Sequence, residues 1–217
     1  MIAAVLRRLS VRVEIALVIA LFAGWFILVS VMATLAGFPT PQFSDAGLVE
    51  IAIFEVIAFA LAFAFLYVRG WRPRDFNIRP SWVDTLVGLL LFGAGVIIFF
   101  GLWDLFRPSA PEKTFLAEMK GATTAGLPIV VVFSPINAAY EEFFLTGYLL
   151  KALQSAGAVM ALGVSALVRL SYHLYQGPLG ALSVLAFGLI FTMYYWRYRQ
   201  LWPVISAHIA WDVTGLT

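Results

Sequence analysis

Cysteine is absent from the 217-residue chain, which excludes a disulfide framework and any thiolate metal site. Charge is scarce: 12% of residues are Asp, Glu, Lys or Arg, and only two are His. No HExxH run occurs, so a metalloprotease helix of that kind is excluded on spacing. No G-x-S-x-G elbow occurs either, which leaves a serine hydrolase without support. The net charge of +2 is small, and the arginines cluster between apolar segments instead of forming a nucleic-acid-binding face. No nucleic-acid partner is therefore expected.

Apolar residues fill the space that charge leaves. They make up 62% of the chain, and the mean hydropathy is +0.93, so the solvent for most of this protein is lipid. A helix needs about 20 apolar residues to cross the hydrocarbon core. On that measure spans are predicted near Val13–Leu35, Gly47–Val68, Trp82–Phe106, Leu127–Leu153, Ala158–Tyr175, Leu179–Trp196 and Leu201–Leu216, the last one short. The N-terminal "MIAAVLRRLSVR" resembles a signal n-region, but the apolar run after it is too long for a cleaved signal and reads as a retained span. The expected fold is an all-α integral membrane protein, a bundle of about seven transmembrane helices with a buried polar pocket. Residues 1–217 read as one polytopic domain.

Basic residues set the expected orientation. Arg7, Arg8 and Arg12 precede the first span, Arg69, Arg72, Arg74 and Arg79 follow the second, and Lys151, Arg197 and Arg199 follow the fourth and sixth. The connections Gly37–Ala46 and Gln176–Pro178 carry no Lys or Arg. A cytoplasmic N-terminus in the cell membrane satisfies the positive-inside rule at these connections. The exception is Arg107–Gly126, whose "RPSAPEKTFLAEMKGA" predicts a turn and a short surface helix. Trp71, Trp82, Trp103, Trp196 and Trp202 fall at span ends and are expected to form an interfacial belt.

Ionisable groups within a span cost several kcal/mol unless paired or hydrated. Glu14, Glu50, Asp84 and Asp104 lie near span ends, where headgroups are within reach. Glu55 lies deeper and reads either as a buried partner or as a lining residue. The remaining set is Glu141, Glu142, Arg169, His173, His208 and Asp212. At about 1.5 Å rise per residue, Glu141 falls about 18 Å from the cytoplasmic side, His173 about 23 Å, His208 about 10 Å and Asp212 about 16 Å. These depths overlap near mid-membrane, so one pocket can hold the groups. His208 and Asp212, at i and i+4, share a helix face. A Glu beside a His can deprotonate water, and a second His steadied by an Asp can support an oxyanion. Alternatively, Glu and His can ligate a divalent ion that activates the water.

The segments "EEFFLTG", "RLSYHLYQG" and "HIAWD" occur in order in three successive membrane segments. Together they resemble the CPBP intramembrane proteases, the CAAX-protease and bacteriocin-processing (Abi) group. The family pattern is Glu-Glu-x-x-x-Arg, then Phe-x-x-x-His, then His-x-x-x-Asn/Asp, and the likeness covers about residues 123–217. It implies a metal-independent glutamic endopeptidase, without a cofactor, that cuts prenylated proteins near their C-terminus or cuts other peptides at the bilayer. Under the resemblance Glu141 and His173 activate water, His208 and Asp212 stabilise the oxyanion, and Glu142 supports them.

Two positions depart from the pattern. Thr146 stands where the family has Arg, and Arg169 where it has Phe. Arg169 is one turn before His173, so it is expected to replace the lost Arg and pair with Glu142, with Glu141 as the second choice, or otherwise to line a hydrated crevice alone. An ionised Asp212 cannot donate a hydrogen bond, so it is expected either to orient His208 or to be protonated in the apolar site. Two other functions fit the same residues: a catalytically silent scaffold or immunity protein, which Thr146 favours, and a proton-coupled transporter. The absence of an internal repeat or paired broken spans counts against the transporter.

Overall fold

Exposed aliphatic side chains cover the outside of this protein. Val159 is 91% exposed, Leu35 83%, Leu90 75% and Ile97 74%. Side chains of this kind are stable facing acyl chains and not water, so the surface is a lipid-facing one. The computed structural model describes residues 6–38, 42–106 and 123–217, and among them the fold is helical with no strand. The surface helix expected within Arg107–Gly126 lies largely outside the described residues.

Helix α1 covers Val11–Leu35, α2 Asp45–Arg69, α3 Trp82–Phe106 and α4 Leu127–Ala152. Then come α5, Ala158–His173, α6, Gly177–Tyr198, and α7, Trp202–Gly215. The first five, with α5 extended through Gln176, are long and apolar enough to cross a bilayer. The order and positions match the predicted spans. The 14-residue α7 rises about 21 Å, short of a hydrocarbon core of about 30 Å.

Local chemistry sets the helix limits. Ser44 caps α2 by accepting from the Gly47 N–H, and Gly70 ends it at φ +105°, a conformation glycine takes without strain. Helix α4 is central: 61% of its membrane-length window is buried, against 17–28% for the other four. It packs against α2 and α7, and α7 also lies along α3. A side chain at Gly88 would come 2.6 Å from the Pro203 carbonyl, so that glycine lets α3 approach α7. Phe143 and Phe144 of α4 anchor an aromatic core: Phe143 packs against Phe76 and edge-on to Phe59, with centroids 4.0 and 4.9 Å away, and Phe144 stacks on Phe22 at 5.0 Å.

Polar contacts tie both ends. Near the start of α2, Asp45 accepts from the Gly126 N–H at 2.7 Å. At the far end Lys151 donates to the Asp75 carbonyl at 2.8 Å and to its carboxylate at 3.3 Å. Burial pushes the Asp75 carboxyl up, but the Arg72 N–H and the Lys151 ammonium outweigh it and hold the group below its ordinary range.

Two expectations are corrected here. Glu14 does not reach for headgroups: it is 4% exposed and accepts from Arg69 Nε, from Trp71 Nε1 at 2.9 Å and from Tyr148 at 3.0 Å. Three donors from two other helices and a loop recover more than a solvated end would. The tryptophan belt is likewise partial. Trp82 is 87% exposed, whereas Trp71, Trp196 and Trp202 pack against the core, and Trp202 donates to Thr85 at 2.9 Å. The Trp103 side chain lies outside the described residues.

Candidate active site

Helix α4 is irregular where its two glutamates sit. Pro135 lies inside it, and Phe143–Tyr148 form a π-helical segment directly after Glu142. Such single π turns widen a helix locally and favour functional positions. The Leu145 carbonyl within it accepts from Ser165 of α5 at 2.8 Å. Adjacent helical residues point about 100° apart, so Glu141 and Glu142 face different surroundings. Glu141 lines a cavity of about 520 Å³, whereas Glu142 is completely buried behind that wall.

Glu142 is a junction. Thr146, one turn on, donates to its Oε2 at 2.6 Å. Arg169 of α5 donates through Nη2 to both carboxylate oxygens, at 2.8 and 3.0 Å. His208 of α7 brings Nδ1 to 2.8 Å from Oε1. The pairing expected between Arg169 and Glu142 is therefore present, and the lone-arginine alternative is not. Arg169 also lies 3.5 Å from Glu141 through Nη1. Its stem passes Gly188 of α6, where a Cβ would come 2.5 Å from Cδ and 2.7 Å from Nε. Glycine at 188 makes room for the arginine.

Around the cavity, Tyr172 donates to Glu141 Oε2 at 2.6 Å. His208 Nε2 lies 3.4 Å from Asp212 and 4.0 Å from Glu141, so both ring nitrogens face carboxylates. Asp212 is held in turn by Asn137, which donates at 2.9 Å. His173 shares the cavity wall with Glu141, His208 and Asp212. Its Nδ1 is 3.0 Å from the Arg169 carbonyl, which requires the proton on Nδ1 and leaves Nε2 as an acceptor. No direct hydrogen bond joins His173 to Glu141 among the described residues, although both line the cavity.

All six residues singled out in the sequence thus gather at one place, four on the cavity wall with Arg169, and Glu142 behind. Sequence reasoning did not find Tyr172, Asn137 or Gly188. Asn137 is one turn before Glu141 and Tyr172 is next to His173, a proximity that could have flagged them. Glu55 of α2 also lines the cavity.

Glu141, Glu142 and His208 bring ligand atoms within 4.8 Å of one another, so the cluster has the donors for a divalent ion. The Arg169 guanidinium already contacts both carboxylates, and its charge opposes a second cation there.

Helices of this length around a buried carboxylate–imidazole cluster define a polytopic membrane protein with an intramembrane polar site. Residues 123–214 match the family described as Type II CAAX prenyl endopeptidase Rce1-like, so this part of the chain is similar to that protease family. The match spans every α4–α7 residue of the site and leaves α1–α3 outside it. No curated protein and no solved structure matches the chain.

Proposed function

We propose that this protein is a glutamic intramembrane endopeptidase that hydrolyses a peptide bond with a water activated by Glu141 and His173. The observation that carries the reading is the shared cavity of Glu141, His173, His208 and Asp212, within a segment matching a protease family. Glu141, steadied by Tyr172, takes a proton from water as the oxygen attacks the scissile carbonyl. His173, with Nε2 free of the helix bond, shares that proton and passes it to the leaving amine. His208, anchored through Nδ1 by Glu142, turns its Nε2–H toward the oxyanion, with the Asp212 carboxylate 3.4 Å away balancing its charge. Arg169 neutralises Glu142 from the neighbouring helix, which supplies the charge missing at Thr146 and weakens the silent-scaffold reading.

The substrate class in this reading is a peptide or a prenylated protein reached from the bilayer, the N-terminus is cytoplasmic, and no metal takes part. Purified protein should cleave a panel of fluorogenic peptides, with and without a prenyl group, and retain activity in EDTA. Activity lost to EDTA and restored by zinc would reject the metal-free mechanism. A wild-type protein as inert as Glu141→Gln on the whole panel would reject the protease reading itself.

A further inference from the structure

Among the buried acids of the cavity, Glu55 is the one the mechanism above leaves unused. It lies inside α2, outside the segment matched to the protease family, and is 2% exposed. Its Oε2 is buried without a hydrogen-bond partner. Every other carboxylate at the site is engaged. Glu141 accepts from Tyr172, Glu142 from Thr146, Arg169 and His208, and Asp212 from Asn137. Leaving such an oxygen unpaired is destabilising, and more so if it is charged. A hydrophobic residue of equal size would avoid that cost.

Position gives the orphan a use. Glu55 lines the same cavity as Glu141, His173 and His208 but comes from a different helix. Around it the wall is apolar, formed by residues such as Phe26, Leu48, Ile51 and Phe133. An apolar wall with one unpaired acceptor suits a ligand that is mostly hydrophobic and presents one donor there.

We infer that Glu55 contacts the substrate, accepting a hydrogen bond from an N–H donor on the peptide chain bound in the cavity. The inference rests on the protease reading and adds a specificity element to it. Two sources supply such a donor, a backbone N–H of the peptide and a Lys or Arg side chain beside the scissile bond.

The test uses the full chain in nanodiscs and a fluorogenic peptide panel with either neutral or basic residues flanking the cut. Glu55→Met keeps the length of the side chain and removes its polar atoms. It is expected to raise KM about tenfold while kcat changes by less than about threefold, the pattern of lost substrate binding. The variant should also melt no lower than wild type, because the unpaired buried oxygen is gone. Glu55→Gln keeps an acceptor and loses the charge. It recovers most of the Met defect on all peptides if the donor is a backbone N–H, and fails to do so on basic peptides if the donor is a cationic side chain. Glu55→Asp, drawn back by one methylene, must raise KM too, and it serves if the Met variant does not fold. A folded Glu55→Met or Glu55→Asp protein with wild-type KM on every peptide overturns the inference while the protease reading stands. A wild-type protein that cleaves nothing removes both.

Discussion

Arg169 is fully charged at any physiological pH, yet it is 3% exposed and its nearest acceptors are Glu142 and Glu141. Removing one partner of such a pair leaves the other charge buried alone, a loss of about 3–5 kcal/mol. Arg169→Phe, which restores the family's residue at that position, should therefore lower the melting temperature sharply and abolish cleavage. Adding Thr146→Arg places a guanidinium one turn from Glu142 on its own helix and should restore much of both. A double variant no better than the single would show that the two positions are not exchanging one charge. This pairing was legible in the sequence because a charge inside a span demands a partner and only a few acids lie at its depth. The contacts of Tyr172 and Asn137 were not, since both are ordinary polar residues whose role depends on which way each helix is turned.

Helix rotation is what apolar sequences conceal. Helix α2 is hydrophobic on every side, so its composition says nothing of which face turns inward, and Glu55 stayed ambiguous between partner and lining residue until the packing was known. The π segment Phe143–Tyr148 was equally hidden, because no residue in it is a helix breaker apart from Gly147. Span positions, by contrast, follow from length and hydropathy alone, and the helices fall where these put them. At this scale the approach of α6 to α5 is the most exposed to test. Gly188→Ala drives a methyl into the Arg169 stem, an overpacking that typically costs about 1–3 kcal/mol. Melting temperature and cleavage should both fall, with the fold retained. A Gly188→Ala protein indistinguishable from wild type in both would mean that Arg169 does not need this space.

Across the whole molecule, two sets of interactions divide the labour. The lipid-facing surface and the Glu14 and Lys151 contacts hold the bundle, while α4, α5 and α7 bring the acids and imidazoles to one cavity. If the N-terminus is cytoplasmic as proposed, a reporter fused after Arg74 should fall on the cytoplasmic side and one after Pro178 on the opposite side. Finding both on one side would overturn the order of the spans. The central claim concerns the two adjacent glutamates: Glu141 works on the substrate in the cavity, and Glu142 holds Arg169 and His208 behind it. The direct measurement is peptide turnover by Glu141→Gln and Glu142→Gln, each beside its melting temperature. Glu141→Gln should lose turnover by about 100-fold or more while melting near wild type. Glu142→Gln should melt lower by an amount comparable to Arg169→Phe. A Glu141→Gln protein that turns over at the wild-type rate, or a Glu142→Gln protein as stable as wild type, would contradict the division.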